Sequence, residues 1–224
     1  NHRWISALIV LPILLVILFF FTINQQPDDR SSRQIDKLPL TIVASKGDSG
    51  ALIWIAEEKG YFEKNSLEVT IKGFSAGKFA AKALEKGEVE IANSADFVLA
   101  KRTFQNTDMR TIGSIAFSNT NHVIGRRDRG ITTPQDLKGK RLGLTKGTTG
   151  EYLAGYFLLL NSLGIGDMKI VNMPPSNLIK AIVSGDVDAV STWGKYAFMI
   201  QKQMANEVVV FPHDESEGYY FLLL

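Results

Sequence analysis

A short strand–turn–helix stretch occurs twice in this chain, about 100 residues apart. The first copy, at 45–50, reads SKGDSG, and the second, at 145–150, reads TKGTTG. The first backbone amides of a helix have no partner within the helix, and they lie at the positive end of its dipole. Each copy is therefore suited to hold a polar or anionic group. Two copies predict two lobes that face a single ligand.

The repeat continues beyond these turns. In both halves a helix-like segment is ended by a glycine and followed by a short strand, at 79–92 and again at 178–190. Self-similarity at a fixed offset is a property of the fold as a whole. Strands alternate with helices along most of the chain, which predicts parallel βαβ units with ligands beyond the carboxyl ends of the strands.

Composition excludes some classes of function. A net charge of +2 gives no sign of a nucleic-acid partner. The absence of cysteine excludes disulfides, thiolate metal sites and a cysteine nucleophile. The three histidines are scattered and show no metal-ligand spacing. We therefore predict no catalytic residue, no metal and no cofactor.

An apolar run at 4–23 is long enough to cross a bilayer as a helix. Arg3 precedes it, and a cationic flank favours the cytoplasmic side, which places the remaining chain outside. We interpret 1–24 as an uncleaved membrane anchor. A cleaved signal peptide is the alternative, although the run is longer than a usual signal core. The polar residues 25–37 are predicted to form a linker.

Three further segments are predicted after the linker. Lobe one is expected at 38–121 and lobe two at 122–215, with a first crossing between the lobes near 118–122. The apolar end of 216–224 is typical of a buried strand, which we expect to return to lobe one. Because the first residue is not Met and the chain stops within this strand, we expect a fragment at both ends, truncated at the C-terminus.

Three segments resemble the periplasmic solute-binding proteins of ABC importers, in the sulfonate, nitrate, taurine and thiamine-pyrimidine class. They are GITTPQDLKGKRLG at 130–143, EEKGYFEK at 57–64 and AIVSGDVDAVSTW at 181–193. The resemblance covers roughly 38–224. It implies a type II two-lobed periplasmic-binding-protein fold with Rossmann-like α/β lobes that close on a small ligand. The chain departs from the family in its N-terminus, where an anchor without a lipobox cysteine replaces the common cleaved or lipidated signal.

Nine residues are predicted to contact the ligand, because they fall at strand ends or helix starts. They are Asp48, Ser49, Gly50, Asn93, Ser94, Asn121, Thr148, Thr149 and Trp193. Hydroxyls and turn amides can donate to an anion without adding charge. Helix capping is the competing role, but it uses one hydroxyl per helix, which leaves the second threonine at 148–149 for a ligand.

Two of these residues carry further chemistry. Trp193 could stack on a ring, cover an aliphatic group or pack in the core. Asp48 would repel a bare anion, and it suits a ligand that also has a cationic or N–H group, such as taurine or an aminopyrimidine.

The leading hypothesis is extracytoplasmic capture of a small solute on the outer side of the cytoplasmic membrane, for delivery to an ABC permease. A sensor is the second hypothesis, because an anchor followed by a clamp is also the input domain of membrane receptors. An enzyme is the third. The related pyrimidine synthases depend on a cysteine-rich iron site, which this chain lacks, and no Gly-x-Ser-x-Gly motif is present.

Overall fold

The computed structural model describes residues 37–105, 108–211 and 218–224. Within these ranges ten strands form two mixed five-stranded sheets, each flanked by helices. The predicted anchor or signal at 1–24 and residues 25–36 of the predicted linker lie outside the described residues. No helix of the described ranges combines the length and apolarity needed to span a bilayer.

We call the first sheet and its helices lobe one. Its strands are β1 (Leu38–Ser45), β2 (Leu67–Phe74), β3 (Ile91–Ala95), β4 (Gly113–Ser118) and β10 (Tyr219–Leu223). Its helices are α1 (Ala51–Glu58), α2 (Tyr61–Lys64), α3 (Gly77–Glu85) and α4 (Asp96–Thr103). A 3₁₀ turn at Asp48–Gly50 leads into α1.

We call the second sheet and its helices lobe two. Its strands are β5 (Asn121–Arg126), β6 (Arg141–Leu144), β7 (Lys169–Asn172), β8 (Ala189–Trp193) and β9 (Val208–Phe211). Its helices are α5 (Thr149–Leu160), α6 (Pro175–Ser184) and α7 (Gly194–Met204). Short 3₁₀ helices lie at Arg127–Arg129, Pro134–Leu137, Ile165–Asp167 and Ala205–Glu207.

The two sheets have the same strand order and the same strand directions. The order is β2-β1-β3-β10-β4 in lobe one and β7-β6-β8-β5-β9 in lobe two. The first three strands of each sheet are parallel, and the fourth runs antiparallel to both its neighbours. In each lobe this fourth strand is the first one after a crossing from the other lobe. The sequence repeat is therefore confirmed as a repeat of the fold.

Helices cover both faces of each sheet. In lobe two, α5 packs on one face through Leu158, whereas α6 and α7 pack on the other through Leu178 and Ile200. Lobe one repeats this arrangement, since α1 packs on one face through Ile53 and α3 and α4 cover the other. Burial on both faces agrees with the almost entirely apolar sequence of β9, VVVF, whereas the edge strand β2, LEVTIKGF, alternates between partly buried and exposed residues.

One predicted local structure is wrong. The polar stretch 93–96 is predicted to cap the helix that follows it, but Asn93 and Ser94 lie inside β3 and pair with β10. Asp96 is already the first residue of α4, where its Oδ1 accepts the amide of Phe97 at 2.6 Å, and the N-cap position is Ala95, which has no side-chain cap bond. The strand extends this far because β10 supplies backbone partners from a distant part of the chain.

Candidate functional site

A cavity of about 540 Å³ opens between the two sheets at the carboxyl ends of their parallel strands. Lobe one contributes the turn after β1, the end of β2 and the end of β4. Lobe two contributes the end of β8 and the start of α7. The lining includes Ser45, Lys46, Asp48, Ser49, Phe74, Ser75, Phe117, Ser118, Thr120, Trp193, Lys195, Tyr196 and Tyr219. Both lobes thus line one space, to which the first repeated turn contributes and the second does not.

A smaller recess of about 50 Å³ continues from this cavity and shares Ser49, Trp193 and Tyr219 with it. It reaches the starts of α3 and α5, which come from opposite lobes. Its hydroxyl-bearing lining residues are Ser45, Ser49, Ser75, Ser94, Thr148, Thr149 and Tyr219. None of the described residues that line it carries a charged side chain. Any anion held there would be bound by hydroxyls and amides alone.

The second copy of the repeated turn is held firmly by its own lobe. Gly147, at φ +77°, allows the sharp bend, and its amide donates to Glu151 Oε2 at 2.7 Å. Thr148 Oγ1 donates to the Thr145 carbonyl at 2.7 Å and accepts the Gly150 amide at 3.3 Å. Ser191 of β8 donates to the Gly150 carbonyl at 2.8 Å. Thr148 is therefore the cap of α5, and Thr149 is the threonine left over.

The first copy of the turn is built differently. Gly50 lies so close to the Ser45 carbonyl that an added Cβ would sit 2.2 Å from that oxygen. The Trp54 indole N–H donates to the same carbonyl at 2.7 Å. No side chain caps the 3₁₀ turn or α1. The Asp48 side chain is exposed at the cavity mouth, where a Cβ on Gly194 of lobe two would lie 3.6 Å from its Oδ2.

Ser94 is the most informative residue of the recess. It is 1% exposed, and its Oγ has no hydrogen-bond partner in the described part of the chain. The oxygen lies against the start of α3, since a Cβ on Gly77 would sit 2.7 Å from it. A buried hydroxyl without a partner costs about 1–3 kcal/mol. A ligand that accepts this hydroxyl's hydrogen bond would remove that cost.

Tyr219 forms the wall between the recess and the lobe crossing. Its hydroxyl donates to Asn121 Oδ1 at 3.0 Å. Burial raises the pKa of Tyr219, while the nearby hydroxyls of Ser118, Thr120 and Thr149 act in the opposite direction. The phenol is therefore neutral at physiological pH and available as a hydrogen-bonding group.

The wider cavity is chemically mixed. Among its described lining residues, Asp48 is the one carboxylate and Lys46 and Lys195 are the two cations. The rings of Trp193 and Tyr196 meet edge to face with centroids 5.9 Å apart, and the Lys195 ammonium lies 5.2 Å from the centre of the Tyr196 ring. Asp48 also faces the start of α7, where a helix dipole favours a carboxylate. This arrangement offers an aromatic wall for the body of a small organic ligand.

The structure brings seven of the nine predicted residues to the two spaces. Asp48 lines the cavity, Ser49 and Trp193 line both, and the recess is lined by Asn93, Ser94, Thr148 and Thr149. Gly50 and Asn121 line neither. Gly50 is packed behind the turn, and Asn121 acts on the site through Tyr219.

Sequence reasoning missed several lining residues, among them the cations Lys46 and Lys195 of the wider cavity and the hydroxyl-bearing Ser75 and Tyr219. Ser75 follows β2, so its place at a strand end was a usable signal. Tyr219 reaches the site only because β10 inserts between β3 and β4. No local sequence pattern predicts that strand pairing. Across the described ranges, no three His, Asp or Glu side chains are grouped so that they could hold a metal ion.

These features define a two-lobed α/β fold with a cavity between its two sheets. The alkanesulfonate-binding protein SsuA from Xanthomonas axonopodis pv. citri, solved with MOPS bound, matches this fold with a TM-score of 0.70. The match has 21% sequence identity and covers 83% of this chain and 64% of that chain. The structural resemblance shows the fold. Residues 49–222 match the family model described as NMT1/THI5 like, and the chain belongs to that family.

Curated relatives agree with this assignment. A protein of Brucella abortus (strain 2308) named as a binding protein is 30% identical over 139 residues, which are 62% of this chain and 42% of the relative. The taurine-binding periplasmic protein of Escherichia coli (strain K12) is 27% identical over 152 residues, 66% of this chain and 46% of the relative. The family resemblance inferred from the sequence is confirmed.

One relative is named as an enzyme. It is the 4-amino-5-hydroxymethyl-2-methylpyrimidine phosphate synthase of Aspergillus parasiticus, 26% identical over 140 residues, 62% of this chain and 40% of the relative. The matched part spans less than half the length of each of these three relatives.

Proposed function

We propose that this chain binds a small organic anion between its two lobes, with the anionic head in the recess and the body in the wider cavity. Sulfonates, including taurine, are the class we favour, with nitrate and pyrimidine compounds as alternatives. The observation that carries the proposal is the unpartnered Ser94 hydroxyl, which is buried beside the starts of two helices from opposite lobes.

The chemistry of the recess favours an anion. The first amides of α3 and α5 have no partners within their helices, and both helix dipoles place positive charge at this end. The Ser94 and Thr149 hydroxyls can donate to the same group. Because the lining is uncharged, specificity would come from geometry, which suits a sulfonate with three equivalent acceptor oxygens.

The aromatic wall suits the rest of the ligand. Trp193, Tyr196 and Phe74 can cover an aliphatic or ring portion, whose burial contributes about 25 cal/mol per Å² of apolar surface. Asp48 at the mouth would favour a ligand with a distal ammonium group, as in taurine. In this proposal the sheets are the lobes of a clamp, with the predicted boundaries at 121/122 and 215/216.

Isothermal titration of the full chain, purified in detergent, with taurine, ethanesulfonate and nitrate tests the proposal. We expect at least one sulfonate to bind. Ser94→Ala and Thr149→Val should each weaken binding by about 10-fold or more, because a hydrogen bond to a charged group contributes about 1.5–3 kcal/mol.

Ser176→Ala is the matched control, since Ser176 carries an exposed hydroxyl near the start of α6 and lines neither space. Equal affinity in Ser94→Ala, Thr149→Val and the control would contradict the assigned recess. Delivery to an ABC permease is the further part of this proposal. Uptake of labelled ethanesulfonate by cells carrying the wild-type chain or Thr149→Val measures it, and equal uptake would contradict it.

A further inference from the structure

Side-chain contacts between the lobes concentrate along helices α4 and α5. The rings of Phe97 and Tyr152 stack with centroids 5.0 Å apart and an interplanar angle of 29°. Leu153 of α5 packs against the buried lobe-one cluster that contains Val98. These apolar contacts place one helix of each lobe side by side, next to the recess, which Val98 also lines.

Two polar contacts cross between the lobes at the same place. Lys78 Nζ of α3 donates to the Lys146 carbonyl at 2.8 Å, and Lys101 Nζ of α4 lies 3.2 Å from Glu151 Oε2 of α5. Both contacts reach the second repeated turn or the helix that follows it. This turn supplies Thr148 and Thr149 to the recess.

Glu151 has two partners in different lobes. Its Oε2 accepts the Gly147 amide at 2.7 Å within the turn, and the same oxygen is paired with Lys101 across the lobe boundary. Glu151 lines neither the cavity nor the recess. A single carboxylate oxygen therefore connects the backbone of a recess-lining turn in lobe two with a cation in lobe one.

The surroundings make this carboxylate important for closure. A third cavity of about 340 Å³ beside it is lined by Lys78, Lys101, Arg102 and Lys146. Arg102 is paired with Glu85 inside lobe one, so it is already compensated. Without the charge of Glu151, the ammonium groups of Lys78 and Lys101 would face Lys146 of the other lobe with no carboxylate from α5 between them.

We propose that Glu151 is a positioning residue that couples closure of the lobes to the shape of the recess-lining turn. In the closed state Lys101 and the Gly147 amide share its carboxylate, so the turn is set when the lobes meet. When the lobes separate, Glu151 loses Lys101 and retains only Gly147. The coupling of closure to ligand affinity rests on the proposed function, whereas the effect on closure itself does not.

The test uses Glu151→Gln and Lys101→Met. The glutamine can still accept the Gly147 amide, so it removes the charge alone, and the methionine removes the cross-lobe cation. Glu88→Gln is the control, because it removes an exposed ion pair, with Lys86, that lies within lobe one and lines none of the three cavities. Thermal melts confirm that each variant is folded.

Lobe separation is measured in the full chain without ligand. The chain has no cysteine, so Glu58→Cys and Lys180→Cys allow one spin label on each lobe, read by pulsed dipolar spectroscopy. We expect Glu151→Gln and Lys101→Met to lower the ratio of closed to open molecules by about three- to fivefold, as loss of a single partly exposed pair allows. The double variant should add little to either single one, and Glu88→Gln should match the wild type.

A distance distribution in Glu151→Gln and Lys101→Met that equals that of Glu88→Gln would overturn the proposal. The second readout is the dissociation rate of taurine, which should rise by the same factor in both variants. If the distances shift but taurine dissociation does not, the coupling to the turn is wrong. If taurine binds no variant, the ligand assignment fails, while the distances still decide whether Glu151 controls closure.

Discussion

The two repeated turns follow one sequence plan, yet their lobes hold them in different ways. Thr148 caps α5 with its own hydroxyl, whereas Asp48, which occupies the equivalent place in the first turn, makes no cap and is exposed. The Gly150 carbonyl accepts a hydrogen bond from Ser191 of β8, whereas Gly50 packs against the Ser45 carbonyl of its own turn. The comparison teaches that the local sequence sets the shape of the turn and that the neighbouring strand decides how rigid it is.

A second comparison concerns the bond that closes each parallel sheet. Glu90 Oε2 accepts the Thr41 amide at 2.7 Å in lobe one, and Asp188 Oδ2 accepts the Arg141 amide at 2.9 Å in lobe two. In lobe two the guanidinium of Arg141 adds a 2.7 Å contact to Asp188 Oδ1. The same bond from a backbone amide to a carboxylate is thus exposed in lobe one. In lobe two it is partly buried, and the guanidinium of Arg141 reinforces it.

The largest expected difference in stability is between alanine substitutions at the last glycine of each turn, Gly50 and Gly150. Gly50→Ala should cost about 3 kcal/mol, because the new Cβ would overlap the Ser45 carbonyl and backbone must move. Gly150→Ala should lower the free energy of unfolding by less than about 1 kcal/mol. The added Cβ would lie 3.2 Å from its nearest neighbour, a Trp193 ring atom, and alanine favours the helix. Urea unfolding of the two variants measures the difference, and equal costs would contradict it.

The next effect distinguishes the two closing carboxylates. Asp188→Asn should cost about 2–3 kcal/mol, because it leaves a partly buried guanidinium and a backbone amide poorly paired. Glu90→Gln should stay within about 0.5 kcal/mol, as expected for an exposed position. Chemical denaturation at neutral pH compares them, and a larger cost for Glu90→Gln would reverse the comparison.

The Asp188 variant also has a defined pH dependence. The side-chain hydrogen bond from Arg141 holds the pKa of Asp188 below its ordinary value of about 4. A depressed pKa in the folded state stabilises the protein above that ordinary value, and the contribution is lost as pH falls through the folded pKa. The gap between Asp188→Asn and the wild type should therefore be constant near neutrality and narrow below about pH 4.

A third effect follows from capping. Thr148→Val should cost about 1–2 kcal/mol, because it removes the cap of α5 and the bond to the Thr145 carbonyl. Asp48→Ala should be nearly neutral in ligand-free protein, since no cap bond is lost. Thermal unfolding without ligand tests the two variants. A destabilised Asp48→Ala would show that the Asp48 side chain stabilises the first turn by a contact other than a cap bond.

Part of the fold and of the candidate site could be predicted from the sequence, and part could not. The repeat predicted two α/β lobes with turns at the strand ends, and it identified Thr148, Thr149, Ser49 and Ser94 as polar groups near those turns. These follow from local spacing. The role of Tyr219 could not be predicted, because β10 pairs with strands about 100 and 125 residues earlier in the chain.

Long-range packing also separates the ligand-facing residues from their neighbours. Gly50 and Ser49 are adjacent in sequence, yet only Ser49 lines the cavity, because the Ser45 carbonyl and Trp54 occupy the side on which Gly50 lies. The dual contacts of Glu151 had no sequence signal either. They depend on Lys101, which lies 50 residues earlier and in the other lobe.

The smallest expected effect tests an exposed carboxylate of lobe two. Asp136 Oδ2 accepts the amides and hydroxyls of Thr132 and Thr133 at 2.7–3.0 Å, which lowers the pKa of Asp136 to about 2. Because the folded pKa is depressed, its contribution is present above about pH 4 and disappears as pH falls towards 2. Asp136→Asn should therefore unfold more readily than the wild type at pH 5 and converge with it near pH 2. Asp108→Asn, at an exposed aspartate of lobe one, is the control for the loss of one carboxylate. Urea midpoints measured between pH 2 and 6 test this prediction. Parallel curves for the wild type and Asp136→Asn would mean that the hydrogen bonds from Thr132 and Thr133 to Asp136 do not stabilise lobe two.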